Sequence, residues 1–173
     1  KPSVAMEFAK VLNINTMRKD GYLEADEWII TWCVGHLVTM SYPEKYDEKL
    51  KFWRLDTLPF IPNEYKYEVI PNVQKQFETI KSLLNREDIS TIYVATDSGR
   101  EGEYIYRLVE QMIGVQGKQR KRVWIDSQTE EEIKRGIKII TLFGTFVTQL
   151  IIVSFVAGEN ASKAGLMILE VAG

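Results

Sequence analysis

An α/β fold, with a sheet parallel in good part, is the architecture this sequence predicts. Short runs of β-branched and aromatic residues alternate with segments of helical period as far as residue 137. The most acidic, glycine-bearing stretch, residues 95–103, falls where one such run meets the helix after it. In open α/β sheets ligands sit beyond the carboxyl ends of the strands, which makes that junction the first place to look for a site.

The elements follow in order. Pro2 suits a first helical position, where a missing N–H costs nothing. Val4, Ala5, Phe8, Ala9 and Leu12 continue at helical spacing, so a helix is expected over residues 2–13. Residues 28–34 read as a buried strand ended by Gly35. Residues 42–63 carry Pro43, Pro59 and Pro62 and read as an irregular surface connection. A strand is expected over residues 65–70, and Val73, Phe77, Ile80 and Leu84 mark an amphipathic helix. A short buried strand follows over residues 91–96. A helix over 101–113 presents Ile105, Leu108, Val109 and Met112 on one face. A strand over 122–125 and a helix over 129–137, acidic in its first turn, complete the pattern. The basic stretch 118–122 reads more simply as a solvated turn than as a DNA contact.

Composition narrows the function classes. The 173 residues make one ordinary domain and the start of another, with 45% hydrophobic residues for a core and 27% charged. A net charge of −2 provides no whole-domain basic field, which argues against a self-sufficient DNA binder. A single cysteine, Cys33, precludes an internal disulfide and fits a reducing compartment. A single histidine, His36, excludes a zinc site built on clustered histidines. The chain opens on Lys1-Pro2-Ser3 without an initiator methionine, from which a removed upstream segment is expected. Residues 139–158 carry no charge and are long enough to cross a bilayer. Thr141, Thr145, Thr148, Gln149 and Ser154 dilute the run, so a packed helix is the preferred reading and a membrane span the alternative.

The segment 95–103 reads Ala-Thr-Asp-Ser-Gly-Arg-Glu-Gly-Glu. Asp97 would project from the strand end, with Glu101 and Glu103 in the first helical turn. Hard divalent cations want oxygen ligands and keep several waters, so one or two carboxylates suffice. Acidic residues also begin helices for reasons of dipole alone, and spacing does not separate the two readings.

A resemblance weighs toward the metal. Asp97, Arg100, Glu101, Gly102 and Glu103 resemble the Asp-x-Asp-Arg-Glu-Gly-Glu signature of type IA DNA topoisomerases of the topoisomerase III kind, with Gly99 in place of the second aspartate. Other matches occur in order: Lys1-Pro2-Ser3-Val4-Ala5, Gly35-His36-Leu37, Pro43-Glu44, Trp53-Arg54, Leu58-Pro59, and 122–133 with Ser127, Thr129 and Ile133. The resemblance is dense over 1–138 and loosens beyond, where Phe155 and Lys163 stand at positions at which the family has a tryptophan and an arginine.

The resemblance implies a Toprim, Rossmann-like fold over residues 1–138, a mostly parallel sheet flanked by helices, with 139–173 as the atypical, apolar start of a helical domain. It implies Mg2+ on Asp97, Glu101 and Glu103, and catalytic roles for Lys1, Arg100 and Glu101. The family's first acidic residue would lie just before Lys1. Trp53, His36, Phe155 and Lys163 would meet DNA, in single-stranded segments. Ser127 and Thr129 stand between phosphate contact and helix capping, with capping the simpler. The parent enzyme would cleave, pass and rejoin one strand without ATP, in a bacterial cytoplasm, on the nucleoid or from a mobile element. Its partners would be DNA and its own remaining domains, with no membrane. None of the eight tyrosines lies in a motif matching the family's nucleophile, so this chain alone is expected neither to cleave nor to relax DNA. The alternatives are a Toprim nuclease or primase fragment, a non-catalytic DNA-binding module, and a membrane-anchored protein.

Overall fold

The computed structural model describes residues 2–127, 129–144 and 168–170, with side chains over 2–127 and 129–137. Its main sheet has six strands in the order β1-β2-β3-β8-β6-β7. These are β1 (Met17–Lys19), β2 (Tyr22–Glu24), β3 (Ile29–Trp32), β6 (Thr91–Val94), β7 (Gln119–Arg122) and β8 (Ile168–Glu170). The β1–β2 and β2–β3 pairs are antiparallel, whereas β3–β8, β8–β6 and β6–β7 are parallel. A separate antiparallel pair joins β4 (Val38–Met40) to β5 (Tyr67–Val69).

Four helices cover the two faces: α1 (Pro2–Val11), α2 (Gln74–Leu84), α3 (Arg100–Ile113) and α4 (Glu130–Gly144). Strand side chains alternate between two cores, as a sheet buried on both faces requires. Ile29, Cys33, Ile92 and Val94 join Phe77 and Ile80 of α2 and Ile105 and Val109 of α3. Ile30, Trp32, Tyr93 and Ala95 join Val4 and Phe8 of α1 and Ile133 and Ile137 of α4. All four residues of β3 and of β6 are buried, which makes these the central strands.

The expected elements recur in the expected order, with β4 and β8 as unexpected additions and three further differences. A hairpin, β1–β2, precedes β3, and Gly21 (φ +83) makes its turn. The dipeptide Asp20-Gly21 is a hairpin signal that the hydrophobic period alone does not carry. The last expected strand, over 122–125, lies three residues earlier, at Gln119–Arg122. The basic stretch is therefore not a solvated turn: Thr91 to Val94 pair in register with Gln119 to Arg122. Outward-pointing Lys and Arg are at home on an exposed sheet edge. Val123 and Ile125, the apolar residues that suggested the strand, are buried just beyond it against α4. Finally, α4 runs on to Gly144, through the expected boundary at 138.

Residues 42–66 are irregular, as expected, with short 3-10 turns at Pro43–Lys45, Glu48–Lys51 and Leu55–Thr57. No helix among the described residues is long and apolar enough to cross a membrane. Most of the uncharged run 139–158, and Phe155 and Lys163, lie outside the described residues, as does Lys1.

Where β6 begins, Arg86 donates to Asp88 at 2.6 and 2.9 Å and to Glu24 of β2 at 2.8 Å. The Arg86 guanidinium holds the Asp88 carboxyl below its ordinary value. Stability from a carboxylate so depressed is present above the unfolded-state value and is lost as pH falls through the folded one. Asp88→Asn is therefore expected to lower stability at pH 7 and to flatten the acid limb below pH 4, read by urea denaturation across pH. An unchanged acid limb would remove this pair from the account.

Candidate metal site

The loop leaving β6 turns directly into α3. Ala95 and Thr96 are fully buried, and Asp97 emerges at the surface at the carboxyl end of the strand. Gly99 is the N-cap of α3, with φ −68 and ψ 167, and no side chain caps the helix. Glu101 and Glu103 fall in its first turn, where the helix dipole favours negative charge.

Gly102 explains how tightly this turn is wound. A Cβ built there would stand 2.3 Å from the carbonyl oxygen of Asp97 and 2.8 Å from its nitrogen. Only glycine lets α3 approach the loop so closely. Gly99 is different: its φ is open to any residue, and an added Cβ would meet nothing nearer than Asp97 Oδ2 at 3.6 Å.

The charged residues around the loop take distinct roles. Asp97 and Arg100 are exposed, and neither side chain makes a hydrogen bond or ion pair among the described residues. Glu101 Oε1 contacts His36 Nε2. His36 stands just after Gly35, whose φ of +96 permits the bend between β3 and β4, and its ring meets Tyr104 edge-on at 6.1 Å. Sequence spacing did not anticipate that His36 would join the acidic loop, because 65 residues separate it from Glu101. Glu103 is taken on both oxygens: Arg107 Nε donates to Oε1 at 2.8 Å, and Arg122 Nε lies 3.2 Å from Oε2.

Arg122 joins the site with no sequence signal for that role. It ends β7, and its side chain is 15% exposed. Nη1 donates to the carbonyls of Val94 (2.8 Å), Thr96 (2.6 Å) and Val123 (3.2 Å), and Nη2 to that of Asp97 (2.5 Å). One guanidinium thus ties the end of β6 and the loop after it to the end of β7, adding to the bond that the Val94 carbonyl already accepts from the Val123 amide at 2.9 Å. Burial pulls its pKa down and the charges of Glu103 and Asp97 push it back, and the group remains a cation. Nε is buried beside Glu103 without hydrogen-bond alignment, so that contact is an ion pair alone.

On the other side, Ser98 Oγ donates to Asp126 at 3.0 Å, and Arg135 of α4 donates to Asp126 at 3.2 Å. Thr129 Oγ1 accepts from the Glu132 amide at 3.4 Å, the capping arrangement expected of it, and Ser127 lies 3.2 Å from Thr129. Trp53 stands apart, 83% exposed, in a loop with Phe52, Leu55 and Ile61 also exposed. Such exposure does not fit a packing anchor.

Among the described residues no three His, Cys, Asp or Glu side chains gather closely enough to enclose a metal. The donors still suit a hard cation that retains water: an unpaired carboxylate at Asp97, and Glu101 held only by a histidine. Glu103, the third expected ligand, is instead neutralised by two arginines.

Comparison with known proteins accords with this geometry. The Toprim domain family matches residues 1–127. The chain belongs to the Toprim domain family. Toprim domains generally bind a divalent metal. The chain is 46% identical over 138 residues to a protein named DNA topoisomerase 3 from Staphylococcus aureus strain MRSA252, and to another from strain USA300. It is 47% identical over 136 residues to one from Staphylococcus saprophyticus. These alignments cover 79–80% of this chain and 19% of each relative, so the Toprim chain spans about a fifth of their length.

Arg122→Met is expected to cost roughly 1–3 kcal/mol, the range for a buried carbonyl left unpaired. Arg122→Lys is expected to restore little, since an ammonium does not reproduce the fork. Urea denaturation with amide exchange over 94–97 checks both; wild-type protection in Arg122→Met would contradict the assignment.

Proposed function

We propose that this chain is the Toprim part of a type IA DNA topoisomerase of the topoisomerase III kind, and that its acidic loop holds Mg2+ for work on single-stranded DNA. The observation that carries this reading is the unpaired Asp97 at the carboxyl end of β6, heading a Gly102-tightened turn with Glu101 and Arg100 beside it. Support for the choice among Toprim proteins comes from the similarity over four fifths of the chain to proteins named DNA topoisomerase 3.

In this proposal Asp97 and Glu101 hold the cation, and water fills the remaining positions. Bound there, a divalent cation supplies positive charge to position and neutralise a phosphate. His36 holds Glu101 toward the same edge and faces the DNA backbone. Glu103, held by Arg107 and Arg122, supports the site by charge rather than as a direct ligand. Arg100 faces DNA phosphate without an acidic partner to neutralise it. Lys1 would stabilise charge at the phosphate being cleaved. Trp53 offers an exposed ring on which an unpaired base stacks. Phe155 and Lys163 would extend the DNA contact from the following segment. Residues 1–138 are taken as the Toprim domain and 139–173 as the start of the next, helical one, with α4 running across the boundary to Gly144 and Ile168–Glu170 pairing back into the main sheet.

The reaction belongs to the whole enzyme: single-strand cleavage by a tyrosine outside this chain, passage, and religation without ATP. The chain alone forms no covalent adduct with DNA. The full protein works in the bacterial cytoplasm, where its substrate lies.

Calorimetric titration with Mg2+ tests the reading. The wild-type chain is expected to bind, and Asp97→Ala to lose at least tenfold in affinity. Gly99→Asp, which meets no backbone obstacle, is expected to cap α3 and to tighten binding by adding a carboxylate beside Asp97. Equal binding by wild type and Asp97→Ala would exclude the loop as the site.

A further inference from the structure

Of residues 97–100, which carry the chain from β6 into α3, only Ser98 is held through its side chain. Among the described residues Asp97 and Arg100 make no side-chain hydrogen bond or ion pair, and Gly99 has no side chain to offer. Ser98 Oγ donates to Asp126 Oδ1 at 3.0 Å, across 28 residues. Arg122 restrains the same turn through the main chain, by donating to the carbonyls of Thr96 and Asp97. Asp97 therefore sits between two anchors, one on its own carbonyl and one on the next side chain.

Asp126 is itself held in place. Its second oxygen, Oδ2, accepts from Arg135 Nη2 at 3.2 Å, and its amide donates to Glu132 Oε2 at 3.5 Å. Arg135 also donates to Glu132 at 2.5 Å, so two neighbouring side chains of α4 grip Asp126 together. Behind them α4 presses on the segment that leads to Asp126. A Cβ at Gly136 would stand 2.8 Å from Ile125 Cγ2 and 3.0 Å from the Trp124 carbonyl oxygen, so glycine is what allows that approach. The Asp126 side chain is 73% exposed, and an exposed ion pair adds little to stability. What the grip of α4 does achieve is to aim Oδ1 at Ser98.

We propose that Asp126 is a positioning residue for the acidic loop. Through Ser98 it fixes the direction in which Asp97 leaves β6, and through Arg135 it ties that direction to α4. Asp126 acts through the hydroxyl and is not itself a ligand. Its bearing on the cation rests on the reading of this loop as the Mg2+ site. A cation that keeps most of its water is held by few protein oxygens, so the placing of each carboxylate weighs heavily in its affinity. Gly99 raises that demand, because it leaves the turn without a capping side chain.

Two readouts on the full chain test this: backbone amide order parameters of residues 97–99 without metal, and calorimetric Mg2+ titration. The wild type is expected in the rigid range at 97–99, about 0.85. Ser98→Ala and Asp126→Ala are each expected to lower these values toward about 0.6. Each is also expected to weaken Mg2+ binding about three- to tenfold, the worth of one hydrogen bond. The double variant is expected to bind no more weakly than either single one, since both remove the same contact. Asp126→Asn keeps a partner for the Ser98 hydroxyl and is expected to rescue the order parameters and to bring affinity within about twofold of wild type. Wild-type order parameters in Ser98→Ala would overturn the proposal, whether or not Asp126→Ala folds. Asp126→Asn as weak as Asp126→Ala, beside a Ser98→Ala that binds normally, would overturn it too and make Asp126 a charge acting on the cation directly. A wild type that binds no Mg2+ would sink the loop as the cation site, and the order parameters would still decide for or against Asp126.

Discussion

The contact on which the site depends is the buried guanidinium of Arg122. A parallel strand that ends against a helix leaves carbonyls pointing into a region water reaches poorly, and unpaired carbonyls there are costly. Arg122 donates to the carbonyls of Thr96 and Asp97, and also to those of Val94 and Val123, and faces Glu103 with its remaining nitrogen. The same side chain therefore closes the end of β6, ties β7 to the loop and sets a positive charge against Glu103.

That arrangement divides the acidic residues by role. Glu103 is bound by two arginines and Glu101 by His36, while Asp97 is left to the solvent. Gly102 sets the geometry, since any side chain there would collide with the Asp97 backbone. Gly99 sets none, which makes the missing second carboxylate a matter of composition rather than of space. A Toprim loop with one open aspartate and a histidine-held glutamate suits a cation that keeps most of its water.

Much of this was legible in the residues. The alternation of apolar strands and amphipathic helices gave the α/β class, and residues 95–103 marked the candidate site because their charges sit where a strand meets a helix. Other features escaped for physical reasons. The strand Gln119–Arg122 is so basic that its pattern looks like solvated surface, and only pairing with β6 makes it a strand. Arg122 was hidden in that same run, because no sequence pattern reports a side chain folding back onto carbonyls 25 to 28 residues away. His36 meets Glu101 across 65 residues, a distance that neither period nor spacing spans. The hairpin at Asp20-Gly21 was readable from its turn and lay outside the hydrophobic pattern. The pairing of Ile168–Glu170 between β3 and β6 had no local signal at all.

The central claim is that the loop after β6, seated by Arg122, is where the chain holds its cation. Paramagnetic broadening of backbone amide signals by trace Mn2+ measures this directly. The account predicts selective loss of the signals of 97–103 and of His36, reversed by excess Mg2+. Broadening centred instead on the acidic residues around Glu24, Asp26 and Asp88, with 97–103 untouched, would contradict it.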